Sequence, residues 1–114
     1  MTTAVMSRTA AQDGPEEVLG LLREQASLYL RLEAFASRQR KLITTDESGP
    51  LLSLLADRQR LSTELARIAS KLEPIRREWA DYRGRLSPPQ QAEADGLLGD
   101  ATQRLRRVIE SDEL

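Results

Sequence analysis

The strongest constraint on the fold is a run of apolar residues between Leu51 and Leu86 that recur at alternating steps of three and four. Every position except Arg58 is apolar or aromatic. A period of 3.5 residues kept over so many turns is typical of a long helix that packs along another helix through a narrow stripe. The run therefore predicts an all-α fold. Its positions are Leu51, Leu54, Arg58, Leu61, Leu65, Ile68, Leu72, Ile75, Trp79, Tyr82 and Leu86.

The composition excludes several kinds of site. The 114 residues include no cysteine and no histidine, so disulfides and thiolate metal sites are ruled out and the commonest general base is missing. A formal net charge of -1 provides no broad positive field that would hold nucleic acid. We therefore expect neither an enzyme nor a cofactor, and no nucleic acid among the partners.

The ends of the chain carry little pattern. Residues 1–12 are small and polar and lack the apolar core of a secretory signal, so we expect a disordered tail there. No apolar run approaches the ~20 residues that a membrane-spanning helix requires. These observations favour a cytoplasmic protein with no membrane span.

Residues 13–114 are expected to form a single helical domain with helices at about 15–43, 50–86 and 88–110. Asp13 or Gly14 can cap the first helix, and Pro15 suits its first turn. The segment 44–49 is short, so the second helix should return antiparallel to the first as a coiled-coil-like hairpin. The apolar stripe of the first helix repeats every seven residues, at Leu21, Leu28, Phe35 and Leu42, with Leu22, Tyr29, Ala36 and Ile43 beside it.

Prolines mark the later boundaries. Pro50 suits the start of the second helix, with Ser48 or Gly49 as its cap. Because the 3.5 period continues in phase across Pro74, we expect that proline to kink the second helix without reversing the chain. The sequence Ser-Pro-Pro-Gln at 87–90 predicts a capping box at the start of a third helix.

Polar residues interrupt the apolar stripes at a few positions. In an antiparallel hairpin that turns near the middle of the 44–50 loop, Gln39 lies opposite Arg58. A buried polar layer of this kind can fix the register of a helix pair at some cost in stability. The alternative is that Arg58 extends along its aliphatic stem into solvent.

The third helix is the candidate binding surface, because the two long helices can cover most of each other's stripes. Two aromatic residues beyond Pro74 are further candidates for anchoring a partner, although aromatic residues at such positions are also common in protein cores. A protein partner that presents an amphipathic helix would fit these surfaces, and a homodimer remains an alternative. The candidate residues are Leu97, Leu98, Ala101, Leu105, Val108, Ile109, Trp79 and Tyr82.

Several short motifs together resemble the FlgN-like flagellar export chaperones. The first helix contains the pair Leu28-Tyr29 and closes with Gln-Arg-Lys-Leu-Ile at 39–43, and the acidic turn Asp46-Glu47 follows. The second helix opens with Leu-Leu-x-Leu-Leu-x-x-Arg-Gln-x-Leu at 51–61, and the segment 108–113 is also similar to that family.

The resemblance implies a small cytoplasmic chaperone that holds the helical segments of hook-filament junction proteins and delivers them to the flagellar export apparatus. It also implies that cargo binds mainly through the C-terminal part. The alternative from the residues alone is a coiled-coil adaptor or dimerisation module with no export role.

Overall fold

The computed structural model describes residues 14–113, without the side chain of Glu113. The predicted tail at 1–12 and the alternative cap Asp13 lie outside these residues. Within residues 14–113 the chain is helical and contains no strand, which confirms the all-α prediction. The helices are α1 (Pro15–Thr44), α2 (Ser48–Arg77), α3 (Trp79–Gly84) and α4 (Pro88–Glu113).

Helix α1 begins and ends through recognisable capping geometry. Gly14 is the N-cap and Pro15 occupies the first turn, where its missing N–H has no partner to lose. At the other end, Asp46 adopts the left-handed conformation with φ 57°. Its N–H donates to the Ile43 carbonyl at 3.2 Å, and the Glu47 N–H donates to the Leu42 carbonyl at 3.1 Å. This is the Schellman pattern, which stops α1 and turns the chain sharply.

Helix α2 begins earlier than the sequence indicated. Its N-cap is Glu47, which makes no capping bond through its side chain, so the expected caps at Ser48 and Gly49 are instead the first two helical residues. Pro50 remains within the first turn, where the helix requires no N–H donor. The connection between α1 and α2 is therefore only residues 45–47.

The second helix predicted over 50–86 is divided into two helices in the structure. Helix α2 continues through Pro74 to Arg77, and the separate short helix α3 follows Glu78. Glu78 leaves helical geometry at φ -117° and ψ 35°, and its N–H donates to the Ile75 carbonyl three residues back. In a continuous α-helix the Glu78 N–H would instead donate to the carbonyl of Pro74, so the helix breaks at the residue where this bond is not made.

The start of α4 agrees with the predicted capping box. The Gln90 N–H donates to Ser87 Oγ at 3.3 Å, and the Ser87 N–H donates to Gln90 Oε1 at 2.9 Å. Two prolines fill the first turn, where their missing N–H groups leave no bond unmade. Helix α4 then extends to Glu113, three residues beyond the predicted end.

Helix α1 occupies the centre of the arrangement and packs along both α2 and α4. The expectation that the third predicted helix lacks a long partner is therefore wrong. On the α2 side, Gln39 contacts Arg58 and Glu24 contacts Arg67, so residue numbers rise along α1 as they fall along α2. The backbones of α2 and α4 scarcely approach each other.

Contacts between α1 and α4 run in the opposite sense. Glu16 accepts a hydrogen bond from Gln90, Arg23 pairs with Glu93, and Glu33 pairs with Arg104. Residue numbers thus rise together along the two helices.

A single hydrophobic core contains residues from all four helices. In α2 and α3 one row of the 3.5 repeat is buried throughout, with every member at most 3% exposed, and Leu72 from the other row also belongs to the core. In α4 the buried row has the small residues Ala94, Ala101 and Val108, which allow that helix to lie close to α1. The row from α2 and α3 is Leu54, Leu61, Ile68, Ile75 and Tyr82.

Candidate functional site

A groove runs between α2 and α4, with α1 as its floor. It exists because α1 packs on both neighbours while these two scarcely approach each other. Two cavities lie along it, and their lining residues are related by steps of seven on each helix. On α1 the lining positions are Leu22 and Tyr29 in one cavity and Ala36 and Ile43 in the other. The two cavities therefore lie along the same side of α1, and they are called the upper and lower sections of the groove below.

The upper section, which lies near the start of α1, is a mainly apolar cavity of about 390 Å³. Tyr29 and Trp79 are half-buried, whereas Leu105 is 36% exposed, so part of this apolar lining faces solvent. None of its lining residues is acidic. The lining residues are Leu22, Gln25, Tyr29, Leu72, Ile75, Arg76, Trp79, Leu98, Ala101, Thr102 and Leu105.

The lower section, near the turn between α1 and α2, is larger and more polar, with a volume of about 510 Å³. Its floor carries the small residue Ala36 and the amide of Gln39. Two exposed apolar side chains, Ile43 and Leu55, stand at its margins. The remaining lining is Arg40, Thr44, Arg58, Gln59, Ser62, Ser111 and Asp112.

Arg58 crosses the lower section and joins all three long helices. Its Nη1 donates to Gln39 Oε1 at 2.6 Å, while Nη1 and Nη2 donate to the two carboxylate oxygens of Asp112 at 3.1 and 2.6 Å. The guanidinium side chain is 18% exposed. The predicted opposition of Gln39 and Arg58 is therefore confirmed, and Arg58 is held in a polar cluster rather than extended freely into solvent.

Charged pairs also hold the beginning of α4 in place beside the upper section. Arg23 on α1 pairs with Glu93, and Arg83 on α3 pairs with Asp95 at 2.7 Å. Each arginine donates hydrogen bonds to its carboxylate, which lowers the pKa of Glu93 and of Asp95. Both pairs are exposed, so their main effect is to fix the position of α4.

The structure divides the predicted binding residues into two groups. Ala101, Val108 and Tyr82 are at most 5% exposed and belong to the core, although Ala101 also borders the upper section. Leu98, Leu105 and Trp79 line the upper section. Leu97 packs partly against the core, and Ile109 is 50% exposed outside the two cavities.

Sequence reasoning did not identify the contribution of α1 and α2 to this groove. Tyr29 and Leu72 were assigned only to helix pairing, and both also line the upper section. A signal was present in the two parallel rows of the 3.5 repeat, because a helix with two apolar rows can pack with one and leave the other partly open. Choosing the open row required knowledge of where α4 lies.

Comparison with family models, with curated proteins and with solved structures gives no match to this chain. The helices within residues 14–113 include none with an apolar stretch long enough to cross a bilayer. In the same residues no acidic side chains gather in a group that could hold a metal ion. The geometry of the groove is thus the basis for a functional proposal.

Proposed function

We propose that this protein binds an amphipathic helix of a protein partner in the upper section of the groove between α2 and α4. The observation that carries the proposal is an apolar cavity of about 390 Å³, bordered by half-buried aromatic rings and a partly exposed leucine. A helix laid into this cavity would cover the apolar lining and complete a four-helix arrangement around the groove. Such binding requires no catalytic group.

We also propose that α1 and α2 form an antiparallel, coiled-coil-like hairpin. It is supported by the contacts of Gln39 with Arg58 and of Glu24 with Arg67. It is also supported by the heptad spacing of the buried row that begins at Leu54. In this description the hairpin supplies two sides of the groove and α4 supplies the third.

The biological role that we propose is that of a cytoplasmic export chaperone for flagellar hook-associated cargo. The support for this role is the resemblance to the FlgN-like chaperones in the first helix, the acidic turn and the opening of the second helix. A cargo helix that is not yet assembled exposes its apolar stripe, and a groove that covers this stripe prevents its aggregation.

The test is the double variant Leu98→Asp with Leu105→Asp. Both residues line the upper section, whereas the close packing of α4 on α1 uses Ala94, Ala101 and Val108. We expect cargo binding to be lost because two carboxylates in an apolar cleft oppose its occupation, while most of the helical circular dichroism signal remains. The measurement is co-purification with hook-filament junction proteins of the same genome, followed by titration of the purified cargo.

The matched control is Leu30→Asp with Leu52→Asp, which introduces the same charges at exposed leucines outside both cavities. This control should bind cargo normally. Because Leu98 also packs against the core, the single variant Leu105→Asp serves as a milder test on a more exposed side chain. Normal cargo binding by a folded Leu105→Asp protein and by a folded double variant would refute the proposed site.

A second function, a coiled-coil adaptor or dimerisation module, is favoured by a different observation. Leu52 is 68% exposed and Ile43 is 58% exposed, and both lie close to the turn between α1 and α2. If this end mediates self-association, the mass measured by sedimentation should rise with protein concentration, and Leu52→Asp should restore the monomer. A chaperone should instead form a complex of defined stoichiometry with its cargo.

A further inference from the structure

We propose that the helix accepted by the upper section carries acidic residues on both flanks of its apolar stripe. This inference rests on the proposed function and adds the charge of the partner. It depends on two arginines that border the cleft, Arg76 on α2 and Arg106 on α4.

Arg76 belongs to the lining of the upper section itself. Arg106 lies one helical turn beyond Thr102, and both line a shallow depression that continues from Leu98. The upper section therefore has one basic side chain on the α2 wall and another beside the α4 wall. Since none of its lining residues is acidic, nothing in the lining balances these charges.

Neighbouring arginines are engaged by carboxylates of the same chain. Arg83 pairs with Asp95, Arg77 with Glu73, and Arg104 with both Asp100 and Glu33. In contrast, neither Arg76 nor Arg106 forms an ion pair or a side-chain hydrogen bond with any residue in the described range 14–113. Both are exposed. Their guanidinium groups can therefore donate hydrogen bonds to carboxylates of a bound partner without giving up a pair within the described residues.

The positions of the two arginines also set a spacing. Arg76 lines the same cavity as Leu22, Gln25 and Tyr29 of α1, whereas Arg104 and Arg107, on either side of Arg106, both contact Glu33. The difference along α1 is four to eleven residues, or roughly 6–16 Å at the rise of an α-helix. A partner helix should thus place acidic residues on opposite flanks, about one to three turns apart.

The experiment uses the complete chain and three synthetic helical peptides of about 20 residues that share the same stripe of leucines. The positions that flank the stripe are all glutamate in the first peptide, all glutamine in the second and all lysine in the third. Binding is measured by fluorescence anisotropy. Exposed ion pairs are individually weak, so we expect the glutamate peptide to bind roughly 3- to 10-fold more tightly than the glutamine peptide and the lysine peptide to bind most weakly. Added salt should reduce these differences.

The double variant Arg76→Gln with Arg106→Gln should remove the preference for glutamate, so that the glutamate and glutamine peptides bind with equal affinity. The matched control is Arg31→Gln with Arg38→Gln, which removes the same charge from exposed positions of α1 outside the upper section. This control should still prefer the glutamate peptide over the glutamine peptide, apart from a small effect of the lower net charge on binding of the charged peptides.

The possible outcomes separate the two proposals. If none of the peptides binds, the groove is not a helix-binding site and both proposals are refuted. Equal binding of all three peptides, or a glutamate preference that survives in the double variant, would overturn the charge inference and leave the proposed function standing. Concentration-dependent dimerisation that blocks peptide binding would show that a second copy of this chain occupies the groove, which also overturns the inference.

Discussion

The two sections of the groove are lined by equivalent positions of the heptad repeat but differ in side chains. The repeat continues from α2 into α3, so positions separated by multiples of seven residues line both sections. In the upper section these sites carry Leu72 and Trp79, whereas the equivalent site in the lower section carries Arg58. Helical periodicity thus gives the two sections equivalent lining positions, and individual side chains decide which section has an apolar lining and which section is bridged by polar contacts.

The largest expected difference between the sections concerns stability. Ile75 is 1% exposed beneath the upper section, so Ile75→Ala should lower the free energy of unfolding by about 2–5 kcal/mol through lost burial and an unfilled cavity. Leu55 is 40% exposed at the margin of the lower section, and Leu55→Ala should cost less than about 1 kcal/mol. Urea denaturation of both variants measures the difference, and equal losses of stability would contradict the expected difference between the two sections.

A smaller effect is expected when the lower section is made apolar. Replacing both Gln39 and Arg58 with leucine should raise the free energy of unfolding by about 1 kcal/mol, because a costly polar layer becomes apolar contact. Asp112 is 44% exposed and can return to water. The single variant Arg58→Leu should instead lower the free energy of unfolding by about 1 kcal/mol, because the side chain of Gln39 would lose its hydrogen-bond partner.

Chemical denaturation of both single variants and the double variant decides the sign. A double variant that is less stable than the unaltered protein would mean that the cluster around Arg58 contributes net stability. The same double variant should also leave peptide binding in the upper section unchanged.

The smallest effect on stability is expected at low pH, from the ion pairs near the beginning of α4. Partner arginines lower the pKa of Glu93 and Asp95 below their ordinary values of 4.5 and 3.8, so the unfolded chain takes up protons first as the pH falls. The stability from these pairs is present above the ordinary values and is lost as the pH drops through the lowered ones. Thermal unfolding across this range should show a slightly weaker acid dependence in Glu93→Gln, and an unchanged profile would contradict the assignment.

The features that the sequence predicts correctly are those governed by local chemistry. The capping box of Ser87 and Gln90 depends on residues three apart, and the beginning of α1 depends on Gly14 and Pro15. The opposition of Gln39 and Arg58 required only the turn position and the heptad phase. In each case the partners are set by short separations along the chain or by one tight turn.

The features that could not be predicted depend on how the chain travels between helices. Pro74 indicates a disturbance, but the interruption occurs at Glu78, where the bond to the proline carbonyl is not made. The path after this break carries α4 alongside α1, and a periodic stripe does not specify which neighbour covers it. The upper section of the groove, which needs α4 in that place, was for this reason only partly visible in the sequence.

The central place of α1 has a consequence for the order of folding. The contact of Gln39 with Arg58 spans 19 residues, whereas that of Arg23 with Glu93 spans 70. Because closing a longer loop costs more chain entropy, we expect α1 and α2 to associate early and α4 to dock late. The cleft between α2 and α4 then forms in the last step of folding, so the proposed binding of a partner helix would require that the whole domain has assembled.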